Sequence, residues 1–477
     1  MKRARRVLLR LGLGLIALAA CAVVVCLDFV DARPYFRESY YAETLARLQA
    51  HMATNRLATG ALRAGFGRAL LTPSVGAPQD APERGQFRQM PLAGYGERRG
   101  KTATRTHDDL FVKAVALRVG EVTGVMVGAD ALIVPPAVAD LATQRLATEL
   151  NLTRGQVYLG ATHTHCSLGA WGEGPVAAAF AGDYQPGACA WFADRIVTAV
   201  RQALADLQPA ALGHGRFVAP QFVRNRLVGR LGRVDPEFSF VGIKRQDGRQ
   251  AVLGCFAAHA TVLSGQVMEF SGDYPGAWQR AVEQATAGTA LFLAGGVGSH
   301  APVAGAAGFA GMERMGQALA GMLLERTAGV PWTNAVSLGW LGVEVSLPPL
   351  NWRVSDGVRL RPWLAGRLLR PRPRTWLQAF RLGDMVWIAT PCDFSGELAL
   401  GIKDALRARG FDAAVTSFNG DYVGYVIPSR YYHMAGYEPR LMSFYGPNVP
   451  DYFEELIRTM AFSLAGQPVE LAVEASR

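Results

Sequence analysis

The chain has 477 residues, of which 50% are hydrophobic and 18% charged, and its formal net charge is +10. This composition excludes a collagen-like, coiled-coil or mainly disordered chain, and the length is sufficient for a large buried core. Six cysteines are too few for a disulfide scaffold. The basic residues are scattered and match no nucleic-acid-binding motif. We therefore expect no nucleic-acid partner, and the basicity favours contact with an anionic surface.

The amino terminus has the pattern of a membrane-targeting segment. Five cations within the first ten residues precede an apolar run at 11–27, and Asp28 follows. The positive-inside rule places the first residues in the cytoplasm and the body of the chain outside it, in the periplasm or the extracellular space. An uncleaved signal anchor is the preferred interpretation. The alternatives are a cleaved signal, loosely of twin-arginine type, and a lipoprotein signal ending before Cys21. The five cations argue against a buried helix.

The rest of the chain alternates between strand and helix patterns in chain order. Strands are predicted at 111–119, 122–134, 157–164, 238–244, 251–259, 290–294, 376–381, 385–389 and 415–418. Helices are predicted at 40–57, 135–150, 189–207, 278–285, 312–326, 396–409 and 452–464.

Some predicted strands are joined by short turns typical of hairpins, such as Gln246-Asp247-Gly248, and others alternate with helices. The mixture predicts an α/β fold of mixed β-sheets flanked by helices, in one large catalytic domain preceded by a transmembrane helix. The predicted division is a signal anchor at 1–32, a polar helical stalk at 33–60 and the catalytic domain at 61–477.

Histidines at the ends of predicted strands give the sharpest chemical signal. His163 and His165 lie at the end of the strand at 157–164, and alternation along a strand would put both rings on the same face. His259 closes the strand at 251–259. Neutral imidazole is a good ligand for Zn²⁺, and active sites of α/β proteins form at strand carboxyl ends. The pattern favours a metal site over hydrogen-bonded structural histidines.

A series of short motifs runs in order over about residues 65–460. The motifs are Leu92-Ala93-Gly94-Tyr95, His107-Asp108-Asp109-Leu110, Thr162-His163-Thr164-His165, Asn225-Arg226, Phe256-Ala257-Ala258-His259, Ser271-Gly272-Asp273-Tyr274-Pro275-Gly276, Pro391-Cys392-Asp393-Phe394, the segment from Asn419 to Tyr425, Tyr437-Glu438 and Tyr445-Gly446-Pro447. Each motif is weak alone, but their common order is specific. Together they resemble the neutral/alkaline (non-lysosomal) ceramidase family and its bacterial relatives.

The resemblance implies a Zn²⁺-dependent hydrolase that cleaves the N-acyl amide of ceramide or a similar lipid with a metal-activated water. The metal ligands that it implies are His163, His259, Asp393 and Tyr425. The supporting catalytic residues that it implies are His165, Arg226 and Tyr437. A lipid substrate and the membrane are the expected partners. Two alternatives stay open: a hydrolase of the same fold acting on another amide or ester, and a catalytically inactive relative that binds a lipid or a partner.

The chain departs from the family pattern at two chemically important positions. Asp393 stands where the family has glutamate, and Glu397, four residues on, could substitute for it. Ala301 stands at the position of a family serine, which excludes covalent serine catalysis there. His300, next to it, either lies near the metal or is a loop histidine. These departures motivate the alternative of an inactive relative.

Two further features have more than one interpretation. Segment 352–376 contains seven arginines and three tryptophans, which suits either a lipid headgroup boundary or a solvated loop held by its tryptophans. Cys166 and Cys392 adjoin proposed site residues. Small buried residues or an extracytoplasmic disulfide are favoured over thiolate ligands.

Overall fold

The computed structural model describes residues 2–467, which contain ten α-helices and 22 β-strands joined by loops and short turns. The helices are α1 (Lys2–Cys26), α2 (Ser39–Ala53), α3 (Pro136–Leu150), α4 (Pro175–Ala181), α5 (Pro186–Ala205), α6 (Asp273–Thr286), α7 (Gly308–Thr327), α8 (Pro362–Leu369), α9 (Gly396–Arg407) and α10 (Val449–Leu464). The strands are β1 (Leu27–Phe29), β2 (Leu57–Leu70), β3 (Ser74–Val75), β4 (Gln86–Phe87), β5 (Arg105–Thr106), β6 (Phe111–Val119), β7 (Val122–Ala129), β8 (Val157–Ala161), β9 (Gln208–Val218), β10 (Val223–Asn225), β11 (Glu237–Arg245), β12 (Gln250–Phe256), β13 (Glu269–Phe270), β14 (Thr289–Ala294), β15 (His300–Pro302), β16 (Ala335–Ser346), β17 (Val358–Leu360), β18 (Arg374–Leu382), β19 (Met385–Ala389), β20 (Asp393–Phe394), β21 (Asp412–Thr416) and β22 (Tyr425–Val426).

A branched sheet of 12 strands dominates the fold. Its main path is β14-β12-β11-β9-β2-β16-β18-β19-β21, and β6, β7 and β8 continue from β2 in a second direction. The 14-residue strand β2 makes this branch, since it pairs with β6, β9 and β16 along different parts of its length. Most neighbours are antiparallel, but the pairs β7–β8, β12–β14 and β19–β21 are parallel. The predicted mixed α/β fold is confirmed.

The two arms of the sheet enclose an apolar core that includes Phe66, Tyr158, Phe380 and Trp387. Helices cover the outer faces and bury further apolar clusters against them. α3 and α5 cover the arm of β6 and β7, α6 and α7 cover β12 and β14, and α2, α9 and α10 cover β16 to β21. Burial of apolar surface on both faces explains why strands such as β7 read as almost continuous hydrophobic runs.

The carboxyl ends of the parallel strand pairs position the candidate site. β8 ends at Ala161 and is followed by His163 and His165, β12 ends at Phe256 and is followed by His259, and β19 is followed by Asp393. The strand predicted at 157–164 is therefore too long. His163 has a φ of 62°, a left-handed conformation that cannot continue a strand. The two rings converge because of this turn and not because of alternation along a strand.

The two amino-terminal helices, α1 and α2, differ in how they contact the rest of the fold. Tyr41, Leu45 and Leu48 of α2 are buried against the sheet and α10, so this helix is packed on the body of the fold rather than standing free as a stalk. In α1, Arg5–Cys26 is long and apolar enough to cross a membrane, and its apolar window is unburied; a signal sequence has the same features. The three-part division of the chain stays a prediction.

The contact between β2 and α5 gives a stability prediction. A Cβ atom on Gly67 would lie 2.0 Å from the backbone oxygen of Ala199, whereas on Gly60 of the same strand its nearest neighbour would be a Val119 methyl at 3.5 Å. We expect Gly67→Ala to lower the free energy of unfolding by about 2–3 kcal/mol because the helix must shift. Gly60→Ala should change it by less than about 0.5 kcal/mol. Equal effects in chemical denaturation would contradict this packing.

Candidate metal centre and active-site cleft

Three buried histidines meet at one point below a cleft. The Nε2 atoms of His163 and His259 are 2.8 Å apart, and the Nε2 atom of His165 lies 3.2 Å from the first and 3.1 Å from the second. All three side chains are almost completely buried. Each offers one nitrogen to the same small volume, so the group could bind a metal ion.

The hydrogen bonds of the rings determine which nitrogens carry lone pairs. His163 Nδ1 lies 2.7 Å from the backbone oxygen of Leu132, and His259 Nδ1 lies 3.4 Å from that of Val297. A ring nitrogen facing a carbonyl must donate, which leaves Nε2 as an acceptor in both neutral rings. Burial lowers the pKa of His163 to about 3 and holds those of His165 and His259 well below the usual value. Neutral imidazoles with converging lone pairs are the form that binds metals.

A buried carboxylate lies beside the three histidines. Asp393 Oδ1 lies 3.8 Å from His163 Nε2 and has no hydrogen-bond partner among the described residues, while Oδ2 accepts a hydrogen bond from the Tyr422 hydroxyl at 2.8 Å. Burial raises the pKa of Asp393 to about 7. A nearby cation would favour the ionised form. An unpartnered oxygen beside converging imidazole nitrogens therefore fits a metal ion.

Glu397, the alternative carboxylate, contacts residues other than the three histidines. Its Oε1 accepts a hydrogen bond from Asn225 Nδ2 at 3.0 Å, and its Oε2 pairs with the Arg430 guanidinium. It also occupies the first turn of α9, where an acidic side chain is favourable without a metal. The structure thus brings Asp393 to the histidines and directs Glu397 away from them.

The other predicted residues lie beside this group. Strand pairing places Tyr425 directly opposite Asp393. Arg226 Nη2 donates to the Tyr425 hydroxyl at 3.0 Å, and Arg226 Nε lies 2.9 Å from Glu438 Oε1. Tyr437 opens a π-helical turn, with its ring centroid 5.8 Å from that of Tyr425. All seven predicted site residues are therefore brought together, and their individual roles stay predictions.

Residues outside the predicted set hold the rings in place. A Cβ atom on Gly94 would lie 2.6 Å from the His165 ring, so a glycine is needed there, and Tyr95 packs on the same ring with centroids 4.7 Å apart. The buried Arg98 guanidinium donates to the backbone oxygen of His165. Phe418 stacks on His163 at a centroid distance of 3.8 Å.

Sequence reasoning missed most of these supporting contacts. Gly94, Tyr95 and Tyr422 lie inside the quoted motifs, which was the available signal. Arg98 and Phe418 lie in none of them, and only the tertiary structure reveals what they contact.

His300 and Ser299 have structural contacts that occupy their reactive atoms. His300 Nε2 accepts from the backbone nitrogen of Asp235 at 2.8 Å, and its Nδ1 lies 2.8 Å from Ser299 Oγ. Ser299 is fully buried and also contacts Ser395 Oγ at 2.8 Å. His300 therefore has no free nitrogen for a metal, and Ser299 is closed to a substrate.

The two cysteines beside proposed site residues are buried free thiols. Cys166 and Cys392 belong to six cysteines that are all unpaired, so the disulfide alternative is wrong in this structure. Burial raises the pKa of the Cys166 thiol to about 12 and that of Cys392 further. They fit the interpretation of small buried residues.

An apolar cleft rises from the histidines to the surface. It encloses about 1270 Å³ of empty space, open solvent at its mouth included. His163, His165 and Asp393 lie at its floor. Its walls are mostly apolar, and they include Leu132, Ile133, Trp171, Val176, Phe180, Leu347, Leu350, Leu369, Met442 and Phe444. Arg370, Arg372 and Arg374 also line it. An apolar cleft with few polar groups at its base is typical of a site for a largely hydrocarbon ligand.

Comparison with known proteins agrees with the motifs. No family model matches the chain. A curated neutral ceramidase from Mycobacterium tuberculosis (strain ATCC 25618 / H37Rv) is 27% identical over 232 residues, which cover 44% of this chain and 36% of that protein. The match thus spans little more than a third of the relative's own length.

Solved structures extend the likeness to most of the fold. The neutral ceramidase of Pseudomonas aeruginosa matches with a TM-score of 0.70 at 19% identity, covering 86% of this chain and 76% of that one. A ceramidase complexed with C2 matches with the same values. At this identity the structural match shows the fold, so this chain has the fold of the neutral ceramidases. The resemblance to the neutral ceramidase family is confirmed.

The two carboxylates give a prediction for metal affinity. Asp393→Asn should weaken zinc binding by about 10- to 100-fold, because it removes the charged oxygen beside the histidines. Glu397→Gln is the matched control, since it retains the acceptor for Asn225, and it should leave the affinity within a few fold. Competition with a chromogenic chelator measures both. A larger loss in Glu397→Gln would show that the wrong carboxylate is assigned.

Proposed function

We propose that this chain is a zinc-dependent hydrolase that cleaves the N-acyl amide bond of ceramide or a similar lipid amide, releasing a fatty acid and a sphingoid base. One observation carries the proposal: three neutral imidazoles and a buried carboxylate converge at the floor of an apolar cleft. The likeness to a curated neutral ceramidase supports the same chemistry.

His163, His259, Asp393 and Tyr425 are the residues that would hold the zinc ion. Two imidazoles, a carboxylate and a phenol oxygen form a nitrogen and oxygen donor set that zinc accepts. The carbonyl contacts of the His163 and His259 Nδ1 atoms are the outer-shell partners typical of metal-binding histidines. When bound, zinc supplies a Lewis acid and acidifies a water for attack on the amide carbonyl.

His165 is assigned to proton transfer. Its Nδ1 has no hydrogen-bond partner among the described residues, in contrast to the Nδ1 atoms of His163 and His259, so its tautomer is not fixed by the protein. A histidine free to hold a proton on either nitrogen can accept one from the attacking water and give it to the leaving amine. The amide C–N bond breaks as the amine takes that proton.

Arg226 and Tyr437 are assigned to the negative charge that develops on the carbonyl oxygen. Burial raises the pKa of Tyr437, so its hydroxyl stays a proton donor, and the side chain is still 42% exposed in the cleft. Arg226 is held by Tyr425 and Glu438 and faces the same group of residues. Donors placed where charge develops stabilise the transition state more than the ground state.

The surroundings of the cleft match a membrane lipid as substrate. Its apolar walls suit hydrocarbon chains, whereas a small polar amide would leave them exposed to water. We assign 1–32 to an uncleaved signal anchor, 33–60 to the segment that follows it and 61–477 to the catalytic unit outside the cytoplasm. The membrane is then both the anchor site and the source of substrate.

Removing two histidines tests the proposal. Purified protein should contain about one zinc ion per chain. The double variant His163→Ala, His259→Ala should lose both the metal and hydrolysis of a long-chain ceramide, because it deletes two converging nitrogens. His214→Ala, whose ring lies beside Asp412 on the sheet, is the control and should retain both.

The outcomes separate the proposed function from its alternatives. Full zinc content in the folded double variant would overturn the metal site. Stoichiometric zinc in the wild type without activity on any lipid amide or ester would favour the inactive relative, which the changes at Asp393 and Ala301 motivate.

A further inference from the structure

Segment 352–376 lies between the amino-terminal helix and the mouth of the cleft. Its strand β17 pairs antiparallel with β1, which directly follows α1. α8 comes next, and the cleft is lined by Leu369 at the end of α8 and by Arg370, Pro371, Arg372 and Arg374 after it. A single short helix therefore connects the apolar amino-terminal helix with the opening through which a substrate enters.

The contacts between α8 and α1 fix their relative position. Arg361 donates from its backbone nitrogen to the oxygen of Cys26 at 2.8 Å and from Nε to that of Leu27 at 3.0 Å. Trp363 Nε1 donates to the oxygen of Val25 at 3.2 Å. The last carbonyls of a helix lack partners within it, and a cation there is also favoured by the helix dipole. Arg361 and Trp363 thus cap α1 and tie it to the rim of the cleft.

The exposed side of this region has the composition of a membrane interface. Trp363 is 47% exposed and is the one exposed tryptophan of the nine, all of which are described. Phe29 of β1 is 79% exposed. The Arg367 guanidinium lies 5.4 Å from the Trp363 ring centroid. Tryptophan and arginine are typical of the headgroup region, where an apolar stem and a polar end are both accommodated.

Unpaired positive charge surrounds the same opening. Among residues 2–467, Arg361, Arg367 and Arg370 have no carboxylate within salt-bridge distance, whereas Arg372 pairs with Asp140. Arg367 and Arg370 are exposed and available to lipid phosphates, whereas Arg361 is bonded at the end of α1. Each contact with a phosphate strengthens binding to an anionic surface. α4, an apolar and half-exposed helix next to α8, also lines the cleft with Val176 and Phe180.

We infer that α8, together with Phe29, seats the mouth of the cleft on an anionic bilayer that contains α1, so that substrate enters sideways from the membrane without crossing water. The inference rests on the proposed function for its substrate and goes beyond it by assigning a role to segment 352–376. The partner of this surface is the headgroup region of a phospholipid bilayer. The α8 surface is continuous with α1, the candidate membrane helix, and its positive charge is complementary to anionic headgroups.

The first test compares two forms of substrate. The full-length chain is reconstituted in vesicles of phosphatidylcholine and phosphatidylglycerol and assayed on a long-chain ceramide in the bilayer and on a short-chain, water-soluble analogue. The double variant Trp363→Glu, Arg367→Glu should lower the rate on the bilayer substrate about tenfold. The rate on the soluble analogue should stay within about twofold, since neither side chain lines the cleft.

Leu57→Glu is the matched control. Leu57 is 45% exposed at the amino end of β2, which runs in the same direction as β8, so it lies at the end of the sheet opposite to His163. It should leave both rates unchanged. Unchanged rates in the double variant, or an equal fall on both substrates, would overturn the inference. A wild type that hydrolyses neither substrate would instead contradict the proposed function.

A second test is independent of activity. In vesicles whose acyl chains are brominated, the wild type should lose a clear fraction of its tryptophan emission, because bromine quenches only an indole near the chains. Trp363→Phe should lose distinctly less. Equal quenching of the two proteins would show that Trp363 does not reach the bilayer, and the seating of the cleft would be refuted.

Discussion

The convergence of three imidazole Nε2 atoms within 2.8–3.2 Å is the constraint on which the site depends. Two neutral rings whose Nδ1 atoms donate to backbone carbonyls cannot hydrogen-bond to each other through Nε2, so their lone pairs repel unless a cation lies between them. The fold accepts this arrangement at a conformational cost, since His163 and its stacking partner Phe418 both have left-handed backbones. Such conformations cost about 1–3 kcal/mol each and persist where the surroundings enforce them.

The sheet and the helices packed on it hold these residues in place. Each of the three parallel strand pairs ends at the site. The candidate metal donors His163, His259 and Asp393 come from segments that are far apart along the chain. Helices on every outer face hold the pairs together, so the geometry of the donors depends on the complete core and not on a local motif. Loops and short helices, rather than strands, surround the carboxyl ends of these strands, and the apolar cleft lies between them.

Much of this could be predicted from the sequence, and the failures have physical causes. The hairpin signals and the ordered motifs predicted the fold class, and the histidine motifs predicted residues that do meet. The prediction that strand alternation brings the rings of His163 and His165 together was wrong. The strand ends at Ala161 and the chain then turns, which strand periodicity does not reveal. The motif Pro391-Cys392-Asp393-Phe394 already favoured Asp393 over Glu397. The sequence could not show that Glu397 contacts Asn225 and Arg430, which come from distant parts of the chain. The polar pattern of α2 resembled a solvated stalk because only four of its residues, Tyr41, Thr44, Leu45 and Leu48, are buried.

Anomalous diffraction at the zinc absorption edge, from crystals of the full chain grown with zinc, would show directly whether and where the metal ion binds. We expect one strong peak in the cleft floor, about 2.0–2.2 Å from the Nε2 atoms of His163 and His259 and from an Asp393 carboxylate oxygen. A zinc peak elsewhere in the protein, with none beside these histidines at saturating zinc, would contradict this expectation.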